Sequence, residues 1–146
     1  MTAFNPVSSW QFWALMSAIF AAMTAILAKA GVEEINPDFA TLIRTLVVIA
    51  VLSGIVAATS QYQSLNSISP KTYLYLGLSG IATGLSWLCY FRALKLGNAS
   101  QVAPIDKLSV ILVAIFGAIF LSEKLTLTNW LGVLLIAAGA ILVAIR

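Results

Sequence analysis

The sequence predicts an all-α integral membrane protein with five transmembrane helices. Three observations carry the prediction. Hydrophobic residues make up 61% of the chain and charged residues only 9%. The apolar residues fall into five runs of membrane-crossing length, and two of the breaks between them carry an Asn-Pro or Ser-Pro pair that can cap and open a helix. One water-soluble core could not hide that much apolar surface in 146 residues.

The opening MTAFNPVSSW lacks a basic stretch, and Gly31 after Ala30 does not resemble a small-residue cleavage site, so no removable signal peptide is expected. The first span covers about 10–30, with Ser8 or Ser9 as its N-cap and Trp10 and Trp13 at headgroup depth. Ala14, Ser17, Ala18, Ala21, Ala22, Ala25 and Ala28 give it a small-residue face that permits close helix approach. Asn36 caps and Pro37 opens the second span, about 37–58. Arg44 lies seven residues inside its start, about 10 Å along the axis, from where a snorkelling guanidinium can still reach the interface.

Ser69-Pro70 repeats the device and starts the third span, about 70–94. Gly80 and Gly84 supply one GxxxG spacing, a weak packing signal. Ser79, Thr83, Ser86 and Tyr90 recur every three or four residues and share a helix face, and a polar stripe in a membrane helix faces protein or water. Gly97 can end this helix and Ser100 can cap the fourth span, about 101–121, with Pro104 in its first turn. Asp106 and Lys107 are about 100° apart around such a helix and are not expected to face each other. Thr128 or Asn129 caps the last span, about 130–145, which carries no charge before Arg146 and suits packing.

Successive crossings bring the end of the first span, the start of the second, the end of the third and the start of the fourth to one side. Lys29, Glu33, Glu34, Asp38, Arg44, Arg92, Asp106 and Lys107 are thereby gathered at one mouth of the bundle. The formal charge of +3 belongs to span-flanking residues and reads as a topology signal, with no nucleic-acid partner implied. Lys29, Arg92, Lys95 and Arg146 on one side against Lys71 and Lys124 on the other place the N-terminus outside, by an excess of two that is small enough to permit insertion both ways. Histidine is absent and Cys89 is the single cysteine, expected as inert packing. That composition excludes intramolecular disulfides and Cys-His metal sites. With no nucleophile-base pair and no cofactor loop, no catalytic residue, metal or cofactor is assigned.

The run YFRALKLGNASQVAPIDKLSVILVAIFGAIFLSEKLTLTNWLGVLLIAAGAILV resembles the EamA domain of the drug/metabolite transporter superfamily. The matching residues are Phe91 to Leu94, Ala99-Ser100, Val102-Ala103-Pro104, Phe120-Leu121, Glu123-Lys124-Leu125, Gly132 and Gly139, with Lys29 and Arg44 where that family tends to carry basic residues. The resemblance implies one EamA-type half-transporter bundle over residues 1–146. Most members carry two inverted copies and move small metabolites outward, so a single copy implies a homodimer, antiparallel if it is to reproduce the tandem arrangement. The implied location is the prokaryotic cytoplasmic (inner) membrane.

As an alternating-access carrier of small polar metabolites, the protein would hold substrate in a cavity with Trp13, Ser17, Arg44, Ser79, Thr83, Trp87, Tyr90, Asp106 and Lys107 as candidate lining residues. Arg44 could attract a carboxylate, and Asp106 could take a coupling proton or hold Arg44. Each has a plainer alternative: a structural Arg44–Asp106 ion pair, snorkelling by Lys107, and helix packing for Trp87 and the hydroxyl stripe. The first span has no central carboxylate, which separates this chain from the four-span multidrug exporters. A flippase or flippase subunit for a lipid-linked sugar, and a structural subunit of a membrane complex, are the alternative functions.

Overall fold

The structure is a computed structural model that describes residues 9–145; Ser8, the alternative first cap, and Arg146, one of the topology charges, lie outside them. The described helices are α1 (Trp10–Val32), α2 (Pro37–Ala58), α3 (Pro70–Leu96), α4 (Ala99–Asp106), α5 (Ser109–Phe120) and α6 (Leu127–Ala144), with a 3-10 turn at Leu65–Ser67 before α3. Among the described residues five stretches are long and apolar enough to cross a membrane, the fourth being Ala99–Phe120, counted across the junction of α4 and α5. Large apolar side chains such as Leu46, Ile55, Leu85 and Leu135 lie more than half exposed. A bilayer supplies the apolar solvent that such a surface needs. The protein is an integral membrane protein of all-α class.

Contacts gather into two compact units, Gly31–Leu96 and Met1–Ala30 with Gly97–Arg146. In the first, α2 and α3 pack against each other. The Asn36 Oδ1 accepts from the backbone N–H of Asp38 at 2.8 Å and of Phe39 at 3.4 Å, and Pro37 occupies the position where a missing N–H costs least. Ser69 Oγ accepts from the Thr72 N–H at 3.2 Å before Pro70. The end of α2 is closed by Ser60 at φ 52°, which lets the N–H of Gln61 return to the Val56 carbonyl at 3.2 Å. This is a Schellman-type stop built on serine in place of glycine. The Cβ positions of Gly77, Gly80 and Gly84 meet nothing within 4 Å, so the GxxxG spacing does no packing in this chain.

In the other unit, α6 packs on α4 and α5. Ser9 Oγ accepts from the Phe12 N–H at 3.3 Å and starts α1. Two starts differ from expectation. The fourth span begins at Ala99 behind Asn98, not Ser100, and α6 begins at Leu127 behind Thr126, whose hydroxyl accepts from the Asn129 N–H at 3.2 Å. Pro104 is consequently the sixth residue of its helix, not a first-turn residue.

The fourth span is not continuous. Pro104 has no N–H to give the Ser100 carbonyl, and within three residues the ladder tightens. Leu108 N–H bonds to the Ile105 carbonyl at 3.0 Å, and Val110 and Ile111 likewise bond three residues back. Lys107 and Leu108 are turn residues between two half-helices.

Candidate functional site

Arg44 stands seven residues inside the start of α2. Its guanidinium lies 4.0 Å from the ring centroid of Trp87 and 5.7 Å from that of Phe91, both on α3. Trp87 and Phe91 are four apart and present their rings on one helix face, so the cation is held against a π surface. Phe91 is only 3% exposed, and Arg44, Trp87 and Tyr90 are partly buried. Among the described residues Arg44 makes no ion pair with a carboxylate. Thr41 Oγ1 donates to the Pro37 carbonyl and Thr45 Oγ1 to the Thr41 carbonyl, each at 2.8 Å.

The hydroxyl stripe of α3 is exposed at Ser79, Thr83 and Ser86. Thr83 Oγ1 donates to the Ser79 carbonyl at 2.9 Å, which leaves its lone pairs outward. Of the residues expected at a site, Arg44 and Trp87 are thus brought into contact, with Tyr90 adjoining them on α3 and Ser79 and Thr83 further along the helix.

At the end of α3 the charges do structural work that sequence reasoning did not find. Arg92 donates from Nε and Nη2 to the two carboxylate oxygens of Asp38 at 2.9 and 2.8 Å, a bidentate pair. Lys95, one turn further, donates from Nζ to the carbonyls of Val32 at 2.9 Å, Glu33, and Ile35 at 3.2 Å. One ammonium therefore holds the carbonyls that end α1 and form the bend into α2. Cys89, expected in packing, is exposed.

In the other unit, Trp13 is 59% exposed and edge-to-face with Phe12, the centroids 5.4 Å apart, and Ser17 is exposed one turn along α1. Asp106 and Lys107 correct the expectation that they do not meet: Lys107 Nζ donates to Asp106 Oδ2 at 3.1 Å. The 100° separation holds only for an unbroken helix, and α4 ends at Asp106. The carboxylate of Glu123 folds back over α5, so that a Cβ at Gly117 would stand 2.8 Å from its Oε2. Ser122 at φ 55° allows the return, and the Glu123 N–H bonds to the Gly117 carbonyl at 3.1 Å. Among the described residues no three Asp, Glu or Cys side chains converge to hold a metal.

A membrane helix with a π-held arginine, and another broken at a charged pair, belong to proteins that handle polar cargo more readily than to inert packing subunits. The profile of the EamA-like transporter family matches residues 8–145. The chain belongs to the EamA-like transporter family. Within it, the chain is 65% identical over 137 residues to a protein of Sinorhizobium sp described as an uncharacterized transporter in the cobO 3'region, covering 94% of this chain and 97% of that one. It is 35% identical over 72 residues to a probable 4-amino-4-deoxy-L-arabinose-phosphoundecaprenol flippase subunit, ArnE, of Hamiltonella defensa, covering 49% of this chain and 65% of that one. Similarity to the uncharacterized transporter YxxF of Bacillus subtilis is 24% over 135 residues, which is 92% of this chain but 42% of that protein. No solved structure matches this EamA-family chain.

Proposed function

We propose that this EamA-family protein is a carrier that moves small polar metabolites, amino acids or related compounds, out of the cell across the inner membrane by alternating access. In this reading it works as a homodimer whose second copy runs antiparallel and completes the pathway. The observation that carries the proposal is Arg44, seven residues inside α2, stacked 4.0 Å over Trp87 with no carboxylate bound to it among the described residues. An arginine at membrane depth costs about 2.5–3.5 kcal/mol on insertion scales. A desolvated cation–π contact returns up to about 2 kcal/mol. The remaining partner that suits a planar guanidinium is an anion such as a carboxylate, bound bidentately.

In the Gly31–Leu96 unit Ser79, Thr83 and Tyr90 are assigned with Arg44 and Trp87 to substrate, and in the other unit Trp13, Ser17, Asp106 and Lys107 are assigned to it separately, Asp106 being the group that can exchange a coupling proton. The break at Lys107–Leu108 supports this, since irregular backbone at membrane depth is tolerated where it is buried in protein or lines a water-filled cavity. The similarity to less than half of the longer Bacillus subtilis transporter supports the need for a second copy.

The test is counterflow with purified protein in liposomes against a panel of amino acids, their amides and their decarboxylated amines. Saturable exchange of the carboxylate-bearing members, with a raised KM in Arg44→Lys, is expected. Flux no greater than in empty liposomes across the panel would sink the proposal. A C-terminal tag exposed on one side only would remove the antiparallel dimer and leave transport standing. A second reading, a subunit of a lipid-linked sugar flippase, is favoured by the likeness to the Hamiltonella defensa protein. It predicts translocation of a polyprenyl-phosphate sugar only when a partner chain is supplied.

A further inference from the structure

Between α2 and α3 runs an open groove of about 370 Å³ that the transport reading does not use. Along α2 it extends from Asp38 to Thr45, seven residues or about 10 Å of helix, and along α3 from Leu88 back to Ile81. Because α2 starts at Pro37, one end of the groove lies at the membrane boundary and the other points toward the bilayer interior.

Chemistry changes along that length. At the boundary stands the Asp38–Arg92 pair, with side chains 48% and 59% exposed. Arg92 spends Nε and Nη2 on Asp38, leaving Nη1 for another acceptor. Deeper, the walls are Leu42, Ile81, Leu85 and Leu88. The hydroxyls of Thr41 and Thr45 are turned into their own helix by 2.8 Å bonds to the Pro37 and Thr41 carbonyls, so hydrocarbon meets no unsatisfied donor there. Gly84 keeps the seat open, a Cβ there meeting nothing within 4 Å.

We propose that this groove is a lipid site, holding one phospholipid of the phosphatidylethanolamine type with its acyl chain along Leu42, Leu85 and Leu88. Its phosphate sits on Arg92 and its primary ammonium on Asp38. The paired charges select the headgroup. A choline has no N–H to donate to Asp38, and a purely anionic headgroup that reaches Arg92 also meets the Asp38 carboxylate. Only a headgroup carrying both a phosphate and a hydrogen-bonding ammonium matches both members, and this holds whether or not the protein transports amino acids.

The experiment is native mass spectrometry of the purified full chain in mixed micelles containing phosphatidylethanolamine, phosphatidylcholine and phosphatidylglycerol with identical acyl chains. The chain is expected to retain one phosphatidylethanolamine with about fivefold preference, the scale of a half-exposed charge pair. Asp38→Asn, nearly isosteric, keeps lipid retention and loses the preference over phosphatidylcholine, while Gly84→Leu fills the seat and lowers retention of every headgroup. Equal retention of the three lipids by the unaltered chain overturns the proposal, as does an undiminished preference in Asp38→Asn. Should Gly84→Leu fail to fold, the Asp38→Asn comparison decides alone. A lipid-independent disulfide dimer through Leu85→Cys in a Cys89→Ser background, with no lipid retained, would assign the groove to a second copy and overturn it equally.

Discussion

Replacing Lys95 by methionine removes the charge that holds the turn ahead of α2 while keeping most of the aliphatic stem. Three carbonyls, those of Val32, Glu33 and Ile35, lose their shared donor. A hydrogen bond from a charged donor contributes about 1.5–3 kcal/mol, and acceptors sharing one ammonium do not add in full, so about 2 kcal/mol of stability is expected to go. Val32 is fully buried, and its carbonyl gains least from water in exchange. Lys95→Arg does not restore the loss, because a planar fork cannot turn donors toward three carbonyls around one point as an ammonium does.

Arg92→Gln makes the contrast. It breaks the bidentate pair, but Arg92 and Asp38 are each about half exposed, and water replaces most of what is lost. Reversible unfolding in mixed micelles titrated with denaturing detergent, followed by circular dichroism, ranks the three variants. Lys95→Met is expected to fall well below Arg92→Gln, with Lys95→Arg nearer the former. If Arg92→Gln is the more damaging, or Lys95→Met is indistinguishable from the parent, the ammonium is not what fixes the bend.

Ser60 at φ 52° stands where serine pays the left-handed penalty that glycine avoids, so Ser60→Gly is expected to stabilise by about 1 kcal/mol in the same unfolding assay. Gly117→Ala puts a methyl 2.8 Å from Glu123 Oε2, the far end of a flexible side chain that can swing away. The helix-propensity gain of about 1 kcal/mol therefore decides, and a loss of stability would show the Glu123 carboxylate to be fixed in place. Trp87→Leu removes the face under Arg44 and is expected to cost about 1 kcal/mol, with Trp87→Tyr retaining part of it. Equal losses in the two variants would assign the effect to side-chain volume in place of the cation–π contact.

The apolar runs and the Asn36-Pro37 and Ser69-Pro70 signals placed α2 and α3 from sequence, because a cap followed by proline has few competing interpretations. The starts of α4 and α6 were not legible in the same way. Asn98 and Ser100, and likewise Thr126, Thr128 and Asn129, all have side chains suited to capping, and spacing does not choose among them. Pro104 announced a disturbance without locating it, since its effect surfaces three residues later, where ladder bonds shorten from four residues to three. Of the site, the place of Arg44 seven residues into α2 was legible and its rest on Trp87 was not, because an arginine stem reaches several neighbours. Lys95 left no trace at all: its partners are backbone carbonyls, which every sequence has.

The break at Lys107–Leu108 divides the fourth crossing into a shorter piece, α4, and a longer one, α5. A continuous rod tilts as a whole, so a push at either end is felt along all of it. Two rods joined by a pair of turn residues can change their mutual angle at the cost of a few already irregular bonds. Asp106 and Lys107 sit at that elbow, where any change of angle would act on the bond between them.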